Sequence, residues 1–189
     1  MKVDGTRIGL MGDSAGAYLS AMVALAGEQP IFAGAYKTDP YAGVSSRVKI
    51  CVGIYGIYDL TAAWHSDLAQ RPYDRPSEKF LGEALIENRK LYFEASPMSY
   101  VTVGRPISSP ASGAEVNQPA FLLSWGTQDD IVTTQAQPFL LALKQAGFFV
   151  RTVIVQGAPH FWISDPLDEA GSFSGFFAPR LVRFLRTQL

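Results

Sequence analysis

The chain has 189 residues, of which 48% are hydrophobic and 17% charged, and its net charge is -1 at pH 7. This composition is typical of a globular domain, and the scattered charges offer no tract for nucleic acid or an anionic membrane. Its apolar stretches are far shorter than the roughly 18 to 20 residues that cross a bilayer, which excludes a membrane span. The single cysteine, Cys51, excludes an internal disulfide and favours a cytoplasmic location. We therefore predict a single domain over residues 1–189.

Short β-rich runs alternate with helical segments along the chain. This pattern predicts an α/β fold in which helices flank a mostly parallel sheet of about four strands. The predicted strands cover residues 7–11, 48–55, 120–125 and 150–155. The predicted helices cover residues 15–25, 77–92, 134–146 and 176–189. Residues 56–59 and the Gly, Ser and Pro-rich segment 103–119 are predicted loops, the second of them disordered.

The pentapeptide GDSAG at residues 12–16 fits the pattern G-x-S-x-G, and it stands between a predicted strand and a predicted helix. The serine of such a turn has a strained backbone, and Gly12 and Gly16 are expected to let the strand and helix approach each other. This geometry would expose the Ser14 hydroxyl as a nucleophile and aim the Ala15 N–H at an oxyanion. The alternative interpretation is a glycine-rich turn with an incidental serine.

A serine nucleophile needs a base, and the chain has two histidines, His65 and His160. His160 follows the fourth predicted strand in a Gly and Pro-containing loop, at the edge where parallel sheets collect their functional sites. His65 lies in a polar segment that is predicted to be irregular, which favours a solvated or capping role. We therefore predict that His160 is the base.

The carboxylate that orients the base is expected after the third predicted strand, where the sequence reads GTQDD at residues 126–130. Of the two adjacent carboxylates only one can hold the imidazole Nδ1–H, and we assign this role to Asp129. Asp130 is then predicted to cap the following helix. Asp59, which follows the second strand, is predicted to stabilise a turn or tether a loop.

Five ordered motifs resemble the α/β-hydrolase fold esterases, in particular the hormone-sensitive-lipase-like and bacterial feruloyl-esterase-like branch. They are GDSAG (12–16), YGIYDL (55–60), FLG with ASP (80–82 and 95–97), GTQDDIV (126–132) and GAPHF (157–161). The resemblance covers almost the whole chain and implies that Ser14 is the nucleophile, Asp129 the orienting acid and His160 the base. Departures at Ala17, Tyr18 and Trp125 concern substrate preference more than mechanism.

The esterases that the chain resembles have a larger sheet and a second oxyanion donor, which comes from an HGG-type loop ahead of the serine. Thirteen residues precede Ser14 here, and the chain contains no Gly-Gly pair. The sequence therefore resembles the C-terminal half of such a hydrolase, an N-terminally truncated domain. We expect the chain to self-associate or to need a complementing N-terminal half, because the first strand would have an unpaired side.

The predicted function is hydrolysis of a small-molecule carboxylic ester through an acyl-serine intermediate, with no metal and no organic cofactor. Tyr18, Tyr58, Trp125 and Phe161 are candidate substrate-binding residues, and Tyr55, Trp64 and Trp162 also fall near predicted strand ends. The alternative for these aromatic residues is ordinary core packing. One alternative function is a serine peptidase or amide hydrolase of the same fold, and another is a catalytically inactive binding or assembly module.

Overall fold

Four strands form a parallel sheet in the computed structural model, which describes residues 4–33, 37–102, 118–131 and 134–189. They are β1 (Gly9–Asp13), β2 (Ile50–Ile54), β3 (Ala120–Gly126) and β4 (Val150–Val155), and they lie side by side in chain order. The predicted sheet of parallel strands with flanking helices is confirmed. Of the predicted loop at 103–119, residues 103–117 lie outside the described residues.

Seven α-helices occur in the described part of the chain, and three of them correct the predictions from sequence. They are α1 (Ala15–Ala26), α2 (Pro30–Ala33), α3 (Leu60–Gln70), α4 (Pro76–Leu81), α5 (Arg89–Glu94), α6 (Ala136–Gln145) and α7 (Phe173–Gln188). The single helix predicted over 77–92 is wrong, because Gly82 adopts a left-handed conformation with φ 83° and ends α4. The helix α5 then begins after Asn88, which caps it by accepting the Leu91 N–H with its side chain. The irregular segment predicted around His65 is wrong as well, since it forms α3.

The central strands are buried on both faces because their sequences are apolar at nearly every position. Alternate residues of β2 therefore enter two separate cores. Ile50 and Val52 pack with the α7 side chains on one face of the sheet. Cys51 packs on the opposite face with α1 and α6, next to Phe121 of β3. The sheet is thus covered by helices on both sides.

The segment between β2 and β3 forms a third core of its own on α1. Tyr18 of α1 packs there with Trp64 of α3 and Tyr92 of α5, and also with Leu85, which lies between α4 and α5. Two hydrogen bonds hold the parts of this segment together: Trp64 donates its indole N–H to Glu78, and Ser96 accepts the Leu60 N–H. Across the described ranges, no helix is both long and apolar enough to cross a membrane.

The strand β1 forms one edge of the sheet among the described residues. Hydrogen bonds to the segment of β2 bind the backbone on either side of β1: the Ile8 carbonyl accepts the Lys49 N–H, and the Ser14 N–H donates to the Ile54 carbonyl. Because N–H and C=O groups alternate sides along a strand, those of Gly9, Met11 and Asp13 point away from β2. Apolar side chains are also exposed around this edge; they are Ile8, Met11, Leu19 and Val23.

Candidate active site

Ser14 occupies a sharp turn between β1 and α1. Its φ of 47° and ψ of -113° are unusual for a residue with a side chain, and such strain concentrates at functional sites. The turn is anchored by the Ser14 N–H, which donates to the Ile54 carbonyl at 2.9 Å. The helix α1 starts at Ala15, whose N–H has no partner inside the helix, because the first N–H groups of a helix lack a preceding carbonyl.

The two glycines that flank this turn differ in what they allow. A Cβ on Gly12 would collide with the backbone carbonyl of Gly16, so Gly12 is needed for the close approach of strand and helix. A Cβ on Gly16 would meet no described atom within 4 Å. The expectation that both positions must lack a side chain is therefore correct for Gly12 and wrong for Gly16 within this chain.

The structure brings the side chains of Ser14, His160 and Asp129 together at the carboxyl end of the sheet. The Nε2 atom of His160 lies 3.1 Å from the Ser14 Oγ, and its Nδ1 lies 2.8 Å from an Asp129 carboxylate oxygen. A carboxylate can only accept hydrogen bonds, so Nδ1 carries the proton, and this N–H is the donor in the hydrogen bond to Asp129. In the neutral ring this leaves the Nε2 lone pair free to accept the Ser14 hydroxyl proton.

Two loops carry Asp129 and His160, and backbone contacts hold these loops against each other. The Gln128 N–H donates to the Ala158 carbonyl at 3.0 Å, and the Gly157 N–H donates to the Thr127 hydroxyl at 2.8 Å. A Cβ on Gly126 would overlap the Ala158 carbonyl, so only glycine permits this approach. The pairing of β3 with β4 therefore extends past the strand ends and fixes the separation of the two side chains.

The two adjacent carboxylates have different surroundings. The Asp129 side chain is almost completely buried, and besides His160 it accepts the Ile131 N–H at 3.2 Å. Asp130 is exposed and does not cap a helix, because α6 begins after Gln135 without a side-chain cap. The capping role predicted for Asp130 is wrong, since the chain continues for several residues before α6 starts.

Gln135 is a buried residue that no sequence motif indicates. Its side-chain oxygen accepts the N–H groups of Tyr58 and Asp59 at 2.7 and 2.9 Å, and its amide donates to the Asp59 carbonyl at 3.0 Å. Asp59 in turn caps α3 by accepting the N–H groups of Thr61 and Ala62. Gln135 thus fixes the loop that leaves β2. The side chain of Asp59, predicted to stabilise a turn or tether a loop, caps α3 instead.

Tyr55 is the first residue after β2, and it is 1% exposed. Its φ is 39°, and its N–H donates to the Ser124 carbonyl at 2.7 Å. The phenol O–H donates to an Asp13 oxygen at 3.3 Å. Burial raises the pKa of the Tyr55 phenol, and the negative charge of Asp13 raises this pKa further. Tyr55 is therefore a neutral hydrogen-bond donor beside the site.

The candidate substrate-binding aromatic residues fall into two groups. Tyr58 is stacked on Phe139 with ring centroids 4.1 Å apart, and Trp125 is buried in the same core. Tyr18 is buried too, and burial raises the pKa of its phenol. These three residues are core residues, because packed helices cover their rings. Phe161 is 63% exposed and lies 4.3 Å from the His160 ring, measured between centroids.

His65 does not join the other candidate residues. It is exposed on α3, where its ring lies against Trp64. An open cavity of about 520 Å³ lies elsewhere, between the end of β4 and the start of α7; neither Ser14 nor His160 lines it. In the part of the chain that the structure describes, no three His, Cys, Asp or Glu side chains cluster in a way that could hold a metal ion.

Comparison with protein families gives a match over most of the chain. The BD-FAE family model matches residues 1–143, a range that includes Ser14 and Asp129. The chain belongs to the BD-FAE family. A curated relative of this BD-FAE chain is Esterase LipQ of Mycobacterium tuberculosis, which is 29% identical over 142 residues. That alignment covers 74% of the BD-FAE chain and 29% of the relative.

Solved structures similar to this BD-FAE chain include esterase 2 of the planctomycete Thermogutta terrifontis. The native form superposes with a TM-score of 0.64 at 18% identity, and the alignment covers 98% of this chain and 56% of that one. The propionate-bound form gives a TM-score of 0.61 and covers 96% and 57%. The BD-FAE chain therefore has the α/β-hydrolase fold, and it spans little more than half the length of these structures.

Proposed function

We propose that the chain carries the catalytic residues of a carboxylic ester hydrolase that acts on small-molecule esters. The proposal rests on one observation above the others, the continuous series of hydrogen bonds from Ser14 through His160 to Asp129 at 3.1 and 2.8 Å. A hydroxyl is a weak nucleophile unless a base takes its proton, and this arrangement supplies the base and the group that orients it. Membership of the BD-FAE family and the esterase named among its relatives support the same reaction.

In the proposed reaction the Ser14 Oγ attacks the ester carbonyl carbon while its proton moves to Nε2 of His160. The tetrahedral intermediate then collapses, the bond to the alcohol breaks, and His160 returns the proton to the leaving alkoxide. A water molecule attacks the acyl-serine in the same way, with His160 as its base. The acid leaves, and the Ser14 hydroxyl is restored. Asp129 stays ionised and stabilises the imidazolium that forms twice in each cycle.

The backbone N–H of Ala15 is the proposed oxyanion donor. It is the first N–H of α1, which lies directly after Ser14, and the positive end of a helix dipole favours negative charge there. Phe161 is the proposed apolar contact for the acyl or aryl part of the substrate, because its exposed ring lies beside His160. We therefore expect neutral esters with an apolar group to be better substrates than short charged ones.

A labelling experiment tests this function directly. We expect a fluorophosphonate probe to form one adduct on the chain, with Ser14 as the modified residue by mass spectrometry. His160→Gln should abolish labelling, whereas His65→Gln serves as the matched control and should label like the parent. Labelling that persists in Ser14→Ala would contradict the proposal. Assays with acyl esters, aryl esters and peptide amides then distinguish an esterase from an amide hydrolase, and inactivity on all of them together with no labelling of Ser14 favours a binding module.

The unpaired side of β1 is the proposed contact with a further polypeptide. Three residues, Gly9, Met11 and Asp13, have backbone groups without a partner strand on that side among the described residues. Exposed strand edges pair readily with other chains, and apolar side chains such as Met11 add to the tendency. We propose that either a second copy or a complementing N-terminal half occupies this edge.

A further inference from the structure

The end of β2 lies next to the turn that carries Ser14. In the parallel register Asp13 is opposite Ile54, and the Ser14 N–H donates to the Ile54 carbonyl. The residue that follows, Tyr55, therefore enters the site from the strand that pairs with β1. The loop that brings in His160 comes from the other side, after β4. Tyr55 and His160 thus meet above the carboxyl ends of the central strands.

The Tyr55 ring packs against the His160 ring and the two residues that follow it. Its centroid lies 4.6 Å from that of the imidazole at an interplanar angle of 52°. It also makes edge contacts with Phe161 and Trp162, at 6.1 and 5.7 Å between centroids. One completely buried ring therefore contacts three consecutive residues of the histidine loop.

The hydrogen bonds of His160 leave one motion of its ring unrestrained. Ser14 and Asp129 bind the two ring nitrogens, so they restrain two atoms at the edge of the ring and not its faces. The terminal torsion of a histidine side chain, about its Cβ–Cγ bond, is broad, so it does not by itself prevent the ring from tilting with small shifts of both nitrogens. A rigid group against the face of the ring is needed, and close-packed side chains supply that kind of restraint. Phe161 is a weaker restraint, because most of its ring is in solvent.

We propose that Tyr55 is a positioning residue that holds the His160 imidazole at the tilt at which it bridges Ser14 and Asp129. This inference rests on the proposed esterase function and adds a residue to it. The ring is the working part, because the phenol O–H reaches Asp13 only at the long distance of 3.3 Å. Phenylalanine at position 55 should therefore keep the imidazole in place, whereas a flexible apolar side chain of similar size should not.

The backbone of Tyr55 is consistent with a constrained role. A φ of 39° is costly for a residue with a side chain and persists only where the surroundings enforce it. Here the enforcing contacts are the bond from the Tyr55 N–H to the Ser124 carbonyl and the Gln135 amide, which fixes the loop three residues later. These contacts therefore hold the Tyr55 ring against His160, although Tyr55 lies outside the helices and strands.

The test compares Tyr55→Phe and Tyr55→Met with Tyr92→Met in the 189-residue chain. Tyr92 is an equally buried tyrosine in α5, and its ring belongs to a different core. We expect fluorophosphonate labelling of Ser14 to stay within about threefold of the parent in Tyr55→Phe and Tyr92→Met, and to fall by about tenfold to a hundredfold in Tyr55→Met. Equal rates in all three folded variants, or equal losses in both methionine variants, would overturn the proposal.

A second measurement does not depend on activity. The Nδ1–H of His160, bonded to Asp129, should give a downfield proton NMR signal that survives in Tyr55→Phe and is broadened or lost in Tyr55→Met. His65→Gln and His160→Gln assign the signal, since the chain has two histidines.

A parent chain that shows this signal but takes no label would refute the esterase proposal while leaving the positioning role open to this test. Should Tyr55→Met not fold, the parent decides: nuclear Overhauser contacts between the rings of Tyr55 and His160 support the proposal, and their absence refutes it.

Discussion

The Gly12 Cα faces the Gly16 carbonyl so closely that a side chain on Gly12 would overlap it. This contact sets how tightly α1 turns away from β1, and therefore where the Ser14 hydroxyl stands. The partner glycine of the motif has open space instead. The two glycines of one pentapeptide thus have different physical roles.

We predict that Gly12→Ala destabilises the fold and that Gly16→Ala does not. A clash with backbone cannot be relieved by a rotamer change, so Gly12→Ala should lower the free energy of unfolding by about 1 to 3 kcal/mol or more. Gly16 lies inside α1, where alanine is preferred over glycine by about 1 kcal/mol, so its replacement should be neutral or stabilising. Denaturant unfolding of both variants measures this, and similar losses would contradict the assignment.

We predict that Asp129→Asn reduces turnover far more than Asp130→Asn. The buried Asp129 carboxylate fixes the tautomer of His160, and an amide at that position would favour the wrong one. Loss of this orientation costs about 10⁴ in turnover in serine proteases, and a loss of similar order is expected here. Asp130 is exposed and serves as the matched control. Ester hydrolysis or fluorophosphonate labelling gives the comparison, and equal effects would mean that the neighbouring carboxylate has the role.

We predict that the Cys51 thiol is inert and lowers stability at high pH. Burial raises its pKa from 9.0 to about 12, so the folded chain holds the proton over a pH range in which the unfolded chain releases it. The free energy of unfolding should therefore be unaffected by this group below pH 9 and should fall between pH 9 and 12, by at most about 1.4 kcal/mol per pH unit.

Cys51→Ala should make that fall shallower, which unfolding curves at several pH values can measure. A thiol reagent at pH 8 should label Cys51 only as fast as the chain opens, and quickly in denaturant. Rapid labelling of the native chain would be the contrary result.

We predict that Gln135→Ala destabilises the chain by about 2 to 4 kcal/mol, because it leaves buried N–H groups of Tyr58 and Asp59 without an acceptor. Gln145→Ala is the control, since Gln145 lies exposed at the other end of the same helix. Thermal or denaturant unfolding compares the two variants. A Gln135→Ala variant as stable as the control would show that water replaces the amide.

We predict that the chain self-associates through β1. Size-exclusion chromatography with light scattering should find dimers or larger species at micromolar concentration. Met11→Lys should reduce them, because a charge on an exposed edge opposes strand pairing. Leu167→Lys, at an exposed site near α7, is the matched control and should leave the association unchanged. A parent chain that stays monomeric would refute this prediction.

The sequence alone determined the sheet, because its signal is local. Buried parallel strands read as short apolar runs, and the run in β2 is buried at every position. The helices of the segment between β2 and β3 were predicted less well. The break after α4 depends on one left-handed glycine, Gly82. The buried side chains of α3 pack in a core that α1 completes, so the sequence of α3 alone does not show which face is buried. Neither feature has a periodic signature that is strong enough to read without the partner surface.

The sequence also determined which residues to propose for the reaction, since the turn motif and the ends of parallel strands leave few candidates for Ser14, Asp129 and His160. Only the tertiary structure decided what surrounds them. Gln135 and Tyr55 act on segments that are remote in the chain, through contacts that no local pattern records. The same holds for the aromatic side chains: Tyr58 became core and Phe161 became surface, because exposure depends on which helices pack over a ring and not on the residue type.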